Sequence, residues 1–193
     1  MTTQTDDDDD ELDFTKPSKP APPPAPEKVA SARKEAATGS PQLAKTGFYV
    51  AMARNAAGKI PPRNGARHSI LVIEDDVDLL KLVGEVLAKA GFLTRFARSR
   101  AEINAEFNKT PLPDLVLLDV RLPDADGFNI LEKIRSNQKI LKLPIIMMTG
   151  RSEVTDVARG LSLGADGYVT KPFKISGLVS AINTVLGIDQ PGG

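Results

Sequence analysis

The 193-residue sequence has no cysteine, which excludes a disulfide, a thiolate metal site and a thiol nucleophile. It has no run of eighteen apolar residues, so neither a transmembrane helix nor a membrane partner is expected. The start, Met1-Thr2-Thr3-Gln4-Thr5 and then Asp6 to Asp10, lacks the basic residues and apolar stretch of a secretory signal. A cytoplasmic protein is therefore expected. Histidine occurs once, as His68, and reads as an exposed linker residue. Excess charge is missing too, because 25 Lys+Arg meet 25 Asp+Glu. What is present, 41% hydrophobic and 26% charged residues, suits a globular chain with room for one domain and an extension.

The balanced charge hides a partition. Residues 1–14 carry seven acids and no base, whereas residues 15–68 carry ten bases against only Glu27 and Glu35. Nine of the fifteen prolines precede Ser69, six of them between Pro17 and Pro26. A segment so poor in apolar surface cannot offset the entropy of ordering. Residues 1–67 are thus expected to form a disordered extension, acidic and then basic and Pro/Ala-rich. Within it, Leu43, Phe48, Tyr49, Val50 and Met52 read first as apolar residues in a linker. Their other reading is one or two helical turns docked on a partner or on the chain's own domain.

From residue 68 to 188 the pattern becomes regular, with a short tail at 189–193. Apolar runs at Ile70–Ile73, Leu115–Leu118 and Ile145–Met148 have the length and composition of strands buried on both faces. Leu93–Ala97 and Gly167–Thr170 complete a set of five. Asp76, Ser99 and Ser152 stand where helices need caps, and Gly91 and Gly187 stand where helices end. The first helix is expected to turn Leu79, Val83, Val86, Leu87 and Ala90 inward. The third presents Phe128, Leu131 and Ile134, and the fifth Leu178, Ile182 and Val185. Five strands alternating with five helices define an α/β fold, a doubly wound parallel sheet in the order 2-1-3-4-5 with helices on both faces.

In such a fold ligands bind beyond the carboxyl ends of the strands, where the strand order reverses. The first strand runs into Glu74-Asp75-Asp76, the third ends in Asp119, the fourth in Thr149, and the fifth in Lys171-Pro172. Glu74, Asp75 and Asp119 converge at the switch point and repel one another unless a proton or a cation relieves them. With no His or Cys nearby, an oxygen-only set favours Mg²⁺ or Mn²⁺ over zinc. Three carboxylates against Lys171 and a divalent ion leave the pocket able to accept a phosphoryl group. Asp76 and Asp78 read as a helix cap and a first-turn acid, and Asp126-Gly127 as turn chemistry leading into a helix.

The segments Ile70-Leu-Val-Ile-Glu-Asp-Asp76, Asp119-Val-Arg-Leu-Pro-Asp-Ala-Asp-Gly127, Met148-Thr-Gly150 and Tyr168-Val-Thr-Lys-Pro-Phe173 together resemble the receiver (CheY-like) domain of bacterial response regulators. The resemblance spans about residues 69–188. It implies that Asp119 is the phosphoacceptor. It also implies that Asp75, Asp119 and the backbone carbonyl of Arg121 hold Mg²⁺, with Glu74 acting through water. Thr149 and Lys171 would bind phosphoryl oxygens, Tyr168 would change rotamer with the signal, and the Lys171–Pro172 bond would be cis. Tyr168 reads equally well as core packing. Arg121 and Arg151, each two residues past a site residue, are candidates for tuning the lifetime of the phosphoryl group. The fifth helix has Ser, Asn and Thr where winged-helix regulators of this family carry the Arg and Glu of a salt-bridged dimer, so that dimer is not expected.

The expected function is that of a stand-alone receiver, because few residues follow the fifth helix. It would take a phosphoryl group from a sensor histidine kinase or a histidine phosphotransfer protein onto Asp119. Output would pass to a downstream protein through the face of helix four, strand five and helix five. No enzyme activity is expected beyond Mg²⁺-dependent self-phosphorylation and slow autodephosphorylation. Two alternatives remain at this point. The basic segment 15–68 would bind nucleic acid or an acidic surface, although its scattered bases argue against nucleic acid; or the receiver would be degenerate and serve only as a binding module.

Overall fold

A computed structural model describes residues 12–14, 30, 34, 50–52, 59–63, 65–150 and 154–188. Their strands are β1 (Val50–Met52), β2 (Ser69–Ile73), β3 (Leu93–Ala97), β4 (Leu115–Asp119), β5 (Arg121–Leu122), β6 (Ala125–Asp126), β7 (Ile145–Thr149) and β8 (Gly167–Thr170). The helices are α1 (Val77–Lys89), α2 (Arg100–Phe107), α3 (Gly127–Ser136), α4 (Val154–Ser162) and α5 (Ile175–Leu186). The main sheet runs β3-β2-β4-β7-β8-β1. Its first five strands are parallel, and they are the five expected strands in the expected order. Strands β2, β4, β7 and β8 are buried along their whole length, as continuous apolar runs require in a sheet covered on both sides.

Alternation along these strands divides the core. Leu71, Ile73, Val116, Leu118, Met147 and Tyr168 face one cluster with residues of α2, α3 and α4. Ile70, Val72, Leu115, Leu117, Met148 and Val169 face the other with α1 and α5. The caps fall where the sequence puts them: Asp76 accepts from the Asp78 and Leu79 amides, and Ser99 from the Glu102 amide. Gly187 closes α5 with a φ of 68°, a left-handed value that suits glycine. Ser152 lies outside the described residues.

Three details differ from expectation. On α1, Val83 and Leu87 are buried as expected, but Leu80 and Gly84 join them, while Leu79 and Val86 are half-buried and Ala90 is exposed. Gly84 is covered by the Phe96 ring of β3, which rests on it so closely that a Cβ there would come within 2.7 Å of it. Asn183 of α5, expected on the exposed face, is buried. His68 is half-buried rather than exposed; its Nε2 donates to the Ile60 carbonyl at 2.6 Å and its ring meets Phe92 edge-on.

The extension also contributes to the fold. Val50–Met52 is a strand, not a helical turn, and pairs antiparallel with β8 so that Ala51 lies opposite Tyr168. Downstream, the Ile60 amide donates to the Leu186 carbonyl at 2.9 Å. The Arg63 amide donates to the Asp114 carboxylate, which also accepts from the Ser69 amide. Leu43, Phe48 and Tyr49 lie outside the described residues.

An ion cluster around the buried Glu106 braces the β3 edge. Arg95 Nε meets Glu106 Oε2 at 2.6 Å, and Lys109 Nζ meets Oε1 at 2.5 Å. Burial pushes the Glu106 carboxyl up, but the hydrogen bonds from Lys109 and Arg95 outweigh it and hold the group below its ordinary value of 4.5. A carboxyl held below its unfolded value adds stability that is complete above that value and fades as pH falls through the folded one. Glu106→Gln is therefore expected to lose roughly 1–2 kcal/mol at neutral pH. Urea unfolding across a pH series should show the gap from wild type closing as the pH drops below 4.5.

Candidate functional site

Three strand ends and one loop build the site. β2 delivers Glu74 and Asp75, with the Glu74 amide donating to the Ala97 carbonyl of β3 at 3.0 Å. β4 delivers Asp119 as its last residue, and Asp119 pairs in register with Met148 of β7. Thr149 is the next residue of β7 and is fully buried. Beyond β8, the Lys171 amide donates to the Thr149 carbonyl at 2.7 Å, which fixes the start of the Lys171-Pro172 turn. The Lys171–Pro172 bond is cis, as the resemblance implied.

The side chains meet at one point. Lys171 Nζ lies 2.5 Å from Glu74 Oε2 and 2.7 Å from Asp119 Oδ2. Glu74 and Asp119 are buried, while Asp75 is exposed, and an oxygen from each of the three lies within 4.8 Å of the others. Burial is the main force pushing the Glu74 carboxyl up; the Asp119 charge adds to it, and the hydrogen bond from Lys171 partly counters both. For Lys171, burial opposes the ammonium, but its hydrogen bonds to Asp119 and Glu74 prevail and hold its pKa above the ordinary value. Lys171 therefore stays charged throughout the neutral range. It touches two of the three carboxylates but its single positive charge offsets only one, and the surplus negative charge suits a hard divalent cation. Glu74, Asp75 and Asp119 have the oxygen chemistry and spacing to hold Mg²⁺ or Mn²⁺, with one open and two sheltered ligands.

The other expected residues fall as follows. Arg121 opens β5, exposed, with its amide donating to Asp119 Oδ1 at 3.2 Å. Tyr168 is fully buried, with its ring against the Gly160 backbone of α4, where a Cβ would stand 3.1 Å from the ring. Arg151 lies outside the described residues. Sequence reasoning treated Gly127 as turn chemistry alone. In the structure the N-terminus of α3 passes directly behind Asp119, and a Cβ on Gly127 would press into the Asp119 carbonyl and the Val120 backbone. The signal was the Asp-Gly pair eight residues after a strand-end acid, which shows a turn but not its proximity.

The fold is that of a receiver domain, and comparison with known proteins shows the same family. Residues 70–183 match the family described as the response regulator receiver domain. The chain belongs to that family. It is 39% identical over 118 residues to the transcriptional regulatory protein GltR of Pseudomonas aeruginosa, covering 61% of this chain and 48% of that protein. It is 37% identical over 117 residues to the phosphate regulon transcriptional regulatory protein PhoB of Escherichia coli, covering 61% and 51%. The chain thus spans about half the length of these curated relatives. Among solved structures, a putative response regulator from Chloroflexus aurantiacus superposes with a TM-score of 0.59 at 31% identity, over 63% of this chain and 98% of that one. The chemotaxis protein CheY4 of Vibrio cholerae does so with a TM-score of 0.58 at 26% identity, over 63% and 100%. No described helix is long and apolar enough to cross a membrane.

Because backbone rather than a flexible side chain opposes Gly127, Gly127→Ala must displace the end of β4 or the start of α3. The expected cost is about 1–3 kcal/mol of stability. Tb³⁺ luminescence or Mg²⁺ titration should show weakened metal binding, since Asp119 moves with its own carbonyl. Unchanged stability and unchanged metal affinity would contradict this tight approach.

Proposed function

We propose that the chain is a response regulator that accepts a phosphoryl group on Asp119 from a sensor histidine kinase or a histidine phosphotransfer protein. The observation that carries the reading is the Lys171 ammonium 2.7 Å from Asp119 Oδ2, beside the Glu74–Asp75–Asp119 cluster. Asp119 attacks phosphorus with a carboxylate oxygen; a new O–P bond forms, the donor N–P bond breaks, and the imidazole leaves neutral after taking a proton. Lys171 pairs with one phosphoryl oxygen and the Thr149 hydroxyl donates to another. Mg²⁺, when bound by Asp75, Asp119 and the Arg121 carbonyl with Glu74 behind them, supplies neutralisation of the developing negative charge.

Thr149 turning towards the phosphoryl group leaves space against which the Tyr168 ring repacks. The populations of two arrangements of the α4–β8–α5 face shift, and a downstream protein reads that face. The Glu74, Asp119, Thr149 and Lys171 set speaks for an active receiver rather than a degenerate one. No turnover belongs to this reading beyond self-phosphorylation and slow return of the phosphoryl group to water. A cytoplasmic setting goes with it.

Incubation with acetyl phosphate and Mg²⁺ followed by intact mass measurement should show a gain of one phosphoryl group in wild type and none in Asp119→Asn. Wild type that gains nothing would make the chain a binding module only. Arg121 and Arg151 flank the phosphoryl group in this reading and set how readily water reaches it. Replacing both with alanine should change the half-life of the phosphorylated chain several-fold. An unchanged half-life would remove them from that role.

A further inference from the structure

Leu12, Asp13 and Phe14 lie far outside the matched receiver segment, yet they are seated on it. Phe14 is 3% exposed and joins the buried cluster that includes Ile103, Phe107, Ile130 and Ile134, with Leu12 packed at its margin. Its ring centroid is 4.9 Å from that of Phe107 on α2. Its amide donates to Asn104 Oδ1 at 3.3 Å, also on α2. From α3, Lys133 Nζ stands 5.7 Å over the Phe14 ring and donates to the Asp13 carbonyl.

The contacts thus comprise an aromatic anchor in an apolar pocket, hydrogen bonds to both the N–H and the C=O of the Asp13–Phe14 peptide group, and a cation above the ring. A buried aromatic anchor with satisfied backbone groups is how short peptides are held. Asn104 and Phe107, three residues apart, share one face of α2, and Arg100 lies one turn earlier on that face. Arg100 Nε is buried with no hydrogen-bond partner among the described residues. Lys133 and Arg100 suit an acidic ligand, and Asp6 to Glu11 precede the anchor without a break.

We propose that the α2–α3 face is a recognition site for acidic peptides of the form Leu-x-Phe, and that residues 12–14 of the same chain are its resident ligand. The apolar anchor supplies the affinity and the acids supply orientation and salt dependence. A partner bearing such a sequence has to displace the chain's own. The proposal does not depend on phosphorylation of Asp119.

A fluorescently labelled peptide of residues 6–16, titrated with full-length chains and followed by anisotropy, tests this. A tethered ligand has an effective concentration on the order of 1 mM. With an intrinsic Kd on the order of 0.1 mM, the full-length Phe14→Ala chain should bind the peptide about tenfold more tightly than wild type. Adding Lys133→Glu to the Phe14→Ala chain should abolish that gain. Equal binding by wild type and Phe14→Ala, or no binding to Phe14→Ala at about 1 mM, would overturn the proposal. Because the chain has no tryptophan, Phe14→Trp provides a second measurement on an otherwise intact chain. Its emission should be blue-shifted and shielded from acrylamide, independently of protein concentration. Emission equal to that of the urea-unfolded chain would refute docking. A shift that appears only as concentration and molecular mass rise would assign the groove to a second copy and refute the resident ligand.

Discussion

The Lys171 ammonium between Glu74 and Asp119 is the contact on which the carboxyl end of the sheet depends. Two buried carboxylates brought together by β2 and β4 repel, and a third at Asp75 adds to the strain. Lys171 reaches them from the far side of two more strands, so the first, third and fifth parallel strands are tied at one point. Such a cluster is poor at stabilising a fold, because desolvation consumes most of its Coulombic gain. What it does is hold reactive oxygens at fixed separation in a region of low dielectric constant. The same charges that make the site costly are those that suit it to a hard divalent cation.

Around that point the backbone leaves little freedom. Gly127 lets α3 start directly behind Asp119, and the Lys171 amide is pinned to the Thr149 carbonyl. Gly160 lets the Tyr168 ring lie against α4. Glycine at these two helical positions gives up helix propensity, and close approach of backbone to a working side chain is what it provides in return. Asp119 is therefore held against the start of α3, and the Tyr168 ring against α4.

Much of this was legible in the sequence because the relevant signals are local. Continuous apolar runs identified the buried strands, and the residue after each run identified the site. Ile70–Ile73 leading into Glu74-Asp75, and Leu115–Leu118 leading into Asp119, needed no tertiary information. What the sequence hid was contact between distant segments. On α1 the sequence found Val83 and Leu87 but not Gly84, whose burial comes from the Phe96 ring on another strand. His68 looked solvated because its acceptor, Ile60, belongs to a segment without periodicity. Leu12 and Phe14 vanish in an acidic run, where composition predicts no order, because two apolar residues matter only when a groove fits them.

The edges of the sheet explain why the folded unit draws on residues before 68. β3 is half-exposed and carries Arg95, tied to Glu106, so it serves as an edge strand that discourages further pairing. β8 is different: Gly167 to Thr170 are all buried, a pattern that suits an interior strand. In the order 2-1-3-4-5 it would nevertheless stand at the margin, with one row of amides and carbonyls unpaired. β1 supplies the missing neighbour, and Ile60 and Arg63 fasten the returning chain to Leu186 and Asp114. Full burial of a predicted edge strand is thus itself a sign that another strand must be found. Here it comes from the apolar stretch that holds Val50 and Met52 within the extension, with Ala51 directly opposite Tyr168.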